Sequence, residues 1–287
     1  MEEYFDTIEC DNIDDLETKC LSLLNGKDIW VFRGQENAEW KLDTTFTRAC
    51  DLCAVPQGNR EEIEGLMRRE FKRRLYQYKN NLPDNSHKDE WLALMQHYGA
   101  PTRLLDFTYS PYVGIYFAFE RAKINSQVAL WAFNTTWNNN GLNTYSPELD
   151  EAYKQYQYNR DWNQFSGKIS NNSIPKQYIL NLNPFRLNER LTYQRGVFLY
   201  QGDVSTNLEE NILAFSNAIG YNGKSITKFV INNDANGNQR SQALIKLDYM
   251  NITRTTLFPD LDGFASSFTA RIPTFFMKQI GSGVYYD

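Results

Sequence analysis

Apolar positions recur at helical spacing over residues 13–24, where Ile13, Leu16, Cys20, Leu21 and Leu24 share one face. Gly26 follows, where a left-handed cap would end the helix. Ile29-Trp30-Val31-Phe32 is apolar on both faces, the pattern of a central strand. Helical periodicity returns over 60–80, through Ile63, Leu66, Met67, Phe71, Leu75 and Tyr78, and over 88–98, through Trp91, Leu94, Met95 and Tyr98. Gly99 caps the second of these and Pro101 stops it. Arg103 to Phe107 predicts a short strand. Ser110-Pro111 opens a helix to about Lys123, with Ser at the N-cap and Pro at the first helical position. Val128–Phe133, Val197–Tyr200 and Ile226–Ile231 predict strands, and 207–219 and 239–250 predict helices.

Helices and strands mix here without strict βαβ alternation, so the expected class is α+β, a mixed central sheet with flanking helices. The chain reads as a single domain over 1–287. Residues 134–178 are rich in Asn, Tyr and Gln, show little periodicity, and carry too few aliphatic residues for a core of their own; they read as an insertion. The core supply is unusually aromatic, with 18 Phe, 18 Tyr and 6 Trp.

Net charge is −5, which argues against a generalised nucleic-acid grip. The basic run Arg68-Arg69 and Lys72-Arg73-Arg74 is interleaved with Glu61, Glu62, Glu64 and Glu70, so a solvated helix face outweighs a nucleic-acid contact there. Neither a charged-then-apolar leader nor an apolar run near the roughly 20 residues of a membrane span is visible, and the expected location is cytoplasmic, away from membranes. Cys50-x-x-Cys53 could form half of a zinc site, but Cys10 and Cys20 are too loosely spaced to complete it; reduced thiols and no metal are expected.

Two polar clusters interrupt the apolar pattern. Gln96-His97-Tyr98-Gly99-Ala100-Pro101-Thr102-Arg103-Leu104-Leu105-Asp106-Phe107-Thr108 is dense in charges and hydroxyls, and Phe32-Arg33-Gly34-Gln35 ends an apolar run. A guanidinium on a buried strand needs a partner. Arg33 either forks onto a phosphate or carboxylate or pairs internally with Asp106. The turn from Asp106 to Ser110 leads into a helix N-terminus, a natural anion site, although Ser110 could serve as a plain cap. Gln194 enters the strand at Val197, with Arg186 and Arg190 upstream, and Asp260 and Asp262 flank a turn.

These clusters resemble the FRG domain family, named for its Phe-Arg-Gly motif. The likeness extends to Trp40-x-Leu42, Arg48, Gln194-x-Gly196-x-Phe198 and Leu257-Phe258-Pro259-Asp260-Leu261-Asp262-Gly263. It implies a component of prokaryotic defence or toxin systems, an effector acting on NAD or another nucleotide. The order of candidates also resembles ADP-ribosyltransferases, where an Arg holds NAD, a Ser/Thr of a second strand shapes the nicotinamide pocket, and a Glu or Gln-x-Glu on a third orients the ribose. That resemblance gives those parts to Arg33, Thr108, Ser110 and Gln194. With the motif clusters, Arg33, His97 and Gln194 are the expected catalytic residues, and Arg33, Gln35, Tyr98, Thr102, Arg103, Thr108 and Ser110 the expected contacts to NAD. The third motif here is Gln194-Arg195-Gly196, without the Glu. Two other readings stand beside an NAD-consuming enzyme: a non-catalytic module that senses a nucleotide or phosphate ligand, and a nucleic-acid-binding protein. The macromolecular target is open.

Overall fold

Strand pairing sets the architecture, described here from a computed structural model for residues 5–282, apart from 81, 86, 170–173, 185–188, 221–224 and 235. The first third holds β1 (Asp6–Cys10), α1 (Ile13–Ser22), β2 (Trp30–Gln35), α2 (Thr45–Leu52), α3 (Arg60–Leu75) and α4 (Lys88–His97). The middle holds β3 (Leu104–Thr108), α5 (Pro111–Phe119), β4 (Ser126–Asn134), α6 (Thr135–Tyr145), α7 (Pro147–Asn159) and α8 (Trp162–Ile169). The last third holds β5 (Ile179–Leu182), α9 (Glu189–Tyr193), β6 (Gly196–Gln201), α10 (Leu208–Ala218), β7 (Ile226–Asn233), α11 (Asn238–Tyr249), α12 (Arg254–Leu257) and α13 (Leu261–Ser282). Among the described residues the strands form one sheet in the order β1-β7-β4-β2-β3-β6-β5. Only β1 and β7 run parallel; every other neighbouring pair is antiparallel. The fold is α+β, as the mixed pattern predicts.

The sheet is divided along its length. β2 pairs with β4 over its whole span, from Trp30↔Asn134 to Gln35↔Ala129. β3 pairs equally fully with β6, from Leu104↔Tyr200 to Thr108↔Gly196. Between β2 and β3 a single pair, Phe32↔Thr108, joins the two halves. Beyond it the strands part. Phe32, Leu130 and Phe229 face a core shared with α1, α5 and α11, whereas Val31, Phe107, Trp131 and Leu199 face the larger core on the other side.

Gly34 is where α5 docks. A Cβ there would stand 2.1 Å from the Gly114 carbonyl oxygen and 2.3 Å from the Ala118 nitrogen, both backbone atoms of α5. The close approach is between backbones, which a glycine inside a strand permits. Phe32, fully buried, fills the space beneath the same helix.

Several expectations need correction. Residues 134–178 contain three capped helices rather than aperiodic chain; residues 170–173 lie outside the described part. Asn134 and Ser146 accept from Trp137 N and Leu149 N at the two helix starts. Aromatic residues take the place of the missing aliphatic ones: Tyr153, Tyr156, Trp162 and Phe165 are buried, and Trp162 meets Tyr156 at 5.3 Å and Tyr200 at 5.4 Å. This segment therefore joins the main core through β6. Gly26 is extended (φ −91°), and α1 ends through a short 3₁₀ turn instead of a left-handed cap. α3 stops at Leu75, short of residue 80. The left-handed Gly99 (φ +79°) does close α4. β1, α2 and α13 have no counterpart in the sequence pattern.

Gly34→Ala is expected to lower stability by about 3 kcal/mol, because only a backbone shift of β2 or α5 can admit the methyl. Urea denaturation would read it; a change within error would show that the strand–helix contact has slack.

Candidate functional site

The parting of β2 and β3 opens a cleft of about 830 Å³, within the range of small-molecule sites. One wall is Arg33, Gly34 and Gln35 of β2; the other is Asp106, Phe107 and Thr108 of β3 with Phe198 of β6. Loop residues Trp40, Lys41 and Asp43, Arg48 of α2, Gln96 and His97 of α4, and Arg190, Gln194, Arg254 and Phe258 complete it. The two polar clusters of the sequence therefore share one pocket.

Arg33 spans the split. Its Nη1 donates to the Asp106 carbonyl oxygen at 2.8 Å, across strands that no longer exchange ladder bonds. The partner is that backbone carbonyl and not the Asp106 carboxylate, so an internal ion pair is not what holds this arginine. Its Nε is buried without an acceptor. Burial pulls the guanidinium below its usual range, the Asp106 charge opposes that shift, and the charge of Arg48 adds to it. Two cations converging in a cleft with spare donors form an arrangement that an anion would relieve.

The opposite wall is a relay. Thr102 Oγ1 donates to Gln96 Oε1 at 2.5 Å, and Gln96 Nε2 donates to Asp106 Oδ2 at 2.7 Å. Asp106 is exposed to the cleft while its neighbours in β3 are buried. His97 lies edge-on to Tyr98 with centroids 4.8 Å apart, and its Nδ1 is buried with no acceptor. Burial, then the charges of Arg190 and Lys79, lowers its pKa and favours the neutral ring. Asp43 carries the opposite perturbation: burial and the nearby Glu209 raise its carboxyl to about 6, and its Oδ1 is buried without a partner.

Of the residues expected at the site, Arg33, Gln35, His97, Thr108 and Gln194 line the cleft. Several of their polar ends are already committed. Gln35 accepts from Trp131 Nε1 at 2.7 Å and donates to the Lys41 carbonyl. Thr108 Oγ1 donates to the Gln194 carbonyl at 2.6 Å and accepts from Ser110 N. Gln194 Nε2 donates to the Leu257 carbonyl at 3.1 Å.

The structure places the others away from the cleft. Thr102 is buried behind Gln96 and acts on the cleft through it. Tyr98 turns outward against Lys79. Ser110 is the N-cap of α5, accepting from Val113 N. Arg103, 3% exposed, forks onto Glu64 at 2.5 and 2.6 Å and donates to Tyr200 Oη and the Gly202 carbonyl. Burial alone would raise the Glu64 carboxyl, but the Arg103 charge overrides it and holds the group down at about 2. Arg186 lies outside the described residues. Sequence reasoning missed Asp43 and Arg254 and gave Arg190 and Phe258 no role. Asp43 sits one residue past the Trp40-x-Leu42 pair, and Arg254 starts the segment that leads to Phe258, so proximity to the motifs was the only signal.

The remaining expectations concern surfaces. Cys10 and Cys20 lie in the core under α5, whereas Cys50 packs against Phe46 and Val204, so the two cysteine pairs sit in different clusters. Along α3, Arg73 and Arg74 are held by Glu70, and Lys72 lies over Trp91. Among the described residues no helix is long and apolar enough to cross a membrane.

Fold and site together define an α+β protein with a guanidinium-lined cleft between two parting strands. Residues 28–127, about a third of the chain, match the family described as FRG domain, so over that stretch the chain is similar to that family. The matched stretch carries Arg33, Asp43, His97, Asp106 and Thr108, whereas Arg190, Gln194 and Phe258 come from beyond it. Neither the comparison with curated proteins nor that with solved structures gave a match.

Arg103→Met is expected to cost about 3–5 kcal/mol, since it leaves the buried Glu64 only its longer contacts to Lys88 and Arg68, both at 3.8 Å; adding Glu64→Leu should recover part of the loss. Equilibrium denaturation of both variants would show it, and a harmless single change would place Arg103 outside the structural core.

Proposed function

We propose that the cleft binds a nucleotide-type ligand through its phosphate, with NAD the candidate, and that the reaction there is ADP-ribosyl transfer or NAD cleavage. The observation that carries this reading is the adjacency of β2, β3 and β6 in the sheet, which brings Arg33, Thr108 and Gln194 to one cleft. That arrangement parallels the order of functional strands in ADP-ribosyltransferases, a fold-level analogy. Arg33 supplies the phosphate contact, with a donor to spare. In such a reaction the bond from the ribose C1′ to the nicotinamide nitrogen breaks, nicotinamide leaves with the electron pair, and water or an acceptor group bonds to C1′. A carboxylate must face the positive charge that develops on the ribose. The third motif has none, and Asp106, held by Gln96 in the cleft, is the group suited to that part. A role as a defence or toxin-type effector rests on the family resemblance alone.

A second reading, ligand sensing without turnover, is favoured by one observation. The Thr108 hydroxyl both donates and accepts inside the protein, and the Gln194 side-chain nitrogen donates to the Leu257 carbonyl, so both are drawn toward the scaffold and away from a ribose.

Incubation of the full chain with NAD should release nicotinamide or transfer label, and Arg33→Ala should cut the rate at least tenfold while costing the fold about 1 kcal/mol. Binding of ADP-ribose without any turnover would select the sensing reading, and neither binding nor turnover would sink both. Because the pyrophosphate of ADP-ribose stays ionised, its affinity should also fall as pH rises through about 6, where the Asp43 carboxyl gains its negative charge. In Asp43→Asn that step should vanish, leaving only a weaker dependence at lower pH from His97.

A further inference from the structure

We propose that the cleft holds a second anion subsite, built by Arg190, Arg254 and Phe258, so that its ligand is a nucleotide bearing a phosphate in addition to the one that Arg33 contacts. The inference rests on the nucleotide reading above and narrows it to a class of ligand.

Two guanidiniums are stacked on one ring. The Arg190 Cζ lies 4.9 Å from the Phe258 centroid and the Arg254 Cζ 4.5 Å from it, and all three residues line the cleft. Like charges brought together on one aromatic platform repel each other unless anions balance them. One carboxylate does so tightly: Arg254 Nη1 donates to Glu120 Oε1 at 2.5 Å, and the same oxygen also accepts from Tyr116 Oη at 3.1 Å. For Arg190 the available carboxylate is weaker. Its Nη2 is 3.5 Å from Asp260 Oδ2, while Asp260 Oδ1 is occupied by the Gly263 N–H at 2.6 Å, at the start of α13.

The donors on this wall outnumber the acceptors. The Nε of Arg190 and the Nε of Arg254 are both buried with no hydrogen-bond partner. A buried donor left unpaired costs on the order of 1–3 kcal/mol, so two on one cleft wall are expected where a ligand completes the set. His97 also lines the cleft, and burial followed by the Arg190 charge depresses its pKa, so the neutral ring adds no third positive charge there. Arg190 and Arg254 belong to α9 and α12, whereas Arg33 and Arg48 belong to β2 and α2, so the two pairs of guanidiniums enter the cleft from different elements. With about 830 Å³ between the walls, both subsites can be reached by one nucleotide of dinucleotide size.

The test compares ligands that differ by one phosphate, titrated calorimetrically against the full chain: ADP-ribose with 2′-phospho-ADP-ribose, and AMP with adenosine 3′,5′-bisphosphate. The wild type should bind the extra phosphate at least tenfold more tightly in one of the pairs. In Arg190→Gln that ratio should fall to about one; the partly exposed Arg190 has its stacking on Phe258 and its long contact to Asp260 to lose, and an unchanged thermal midpoint would confirm the fold. Equal affinities within both pairs would overturn the second subsite and leave the nucleotide reading standing. A ratio that survives Arg190→Gln would overturn the assignment to these residues. Failure of all four ligands to bind would overturn the nucleotide reading and this inference with it.

Discussion

Two strand edges face each other across the cleft, and the hydrogen bond from Arg33 to the Asp106 carbonyl is what lets them do so. β2 and β3 share one residue pair and then diverge, leaving backbone groups without ladder partners. Exposed edges invite pairing with other chains or closure on themselves. Here the guanidinium supplies a donor where the ladder has stopped, and α5 holds the strand from beneath through the backbone contact at Gly34. Each strand is also fixed from its far side, β2 by β4 and β3 by β6. The opening is thus a built feature of the sheet, and Phe32, Arg33 and Gly34 each hold one part of it: core, bridge and helix contact.

Two arginines of the motif clusters show how partner geometry decides a fate that residue type cannot. Arg103 lies among Glu64, Tyr200 and a backbone carbonyl, with its fork matched to a carboxylate, and becomes a strut of the core. Arg33 has a carbonyl and a spare Nε, and the nearest cation raises the strain on its charge. A chain of net charge −5 has nevertheless gathered several guanidiniums around one cavity. Glu36, Glu39, Asp43, Asp106 and Glu120 line the same cavity, so the guanidiniums act on an anion through directed donors and not through a net positive field.

What the sequence made legible follows from range. The apolar periodicities located α4, α5, β2, β4 and β7 because neighbours along the chain decide them. The coupling of Phe32-Arg33-Gly34 to Asp106-Phe107-Thr108 was visible only as a suspicion, since it depends on which strands sit side by side. β1 escaped because five residues with acidic alternation, Asp6–Cys10, form a strand only where β7 offers a parallel edge. Residues 134–178 misled because the aliphatic count ignored aromatic packing: Tyr153, Tyr156 and Trp162 do the work that Leu and Ile do elsewhere. Phe258 was visible only as part of a motif and Arg254 only by its nearness to it, since their place at the cleft comes from the long-range contacts of α12 with α9 and with Glu120 at the end of α5.

The same geometry bears on what the cleft can do to a ligand. The groups that face it with unused capacity are the Arg33 Nε, the Asp106 carboxylate, the neutral His97 ring and the guanidiniums beside Phe258. Those that are spent, Thr108 and Gln194, tie the ends of β3 and β6 to each other and to α12. Their service is therefore to the shape of the wall, not to its reactivity. On the proposed reading, recognition falls to the arginines and chemistry to Asp106; Gln96 and Thr102 set the direction of that carboxylate through a relay that starts in the core. On that same reading, a ligand that seats its phosphates on the guanidiniums presents its sugar to Asp106, the cleft carboxylate that Gln96 holds in place on β3.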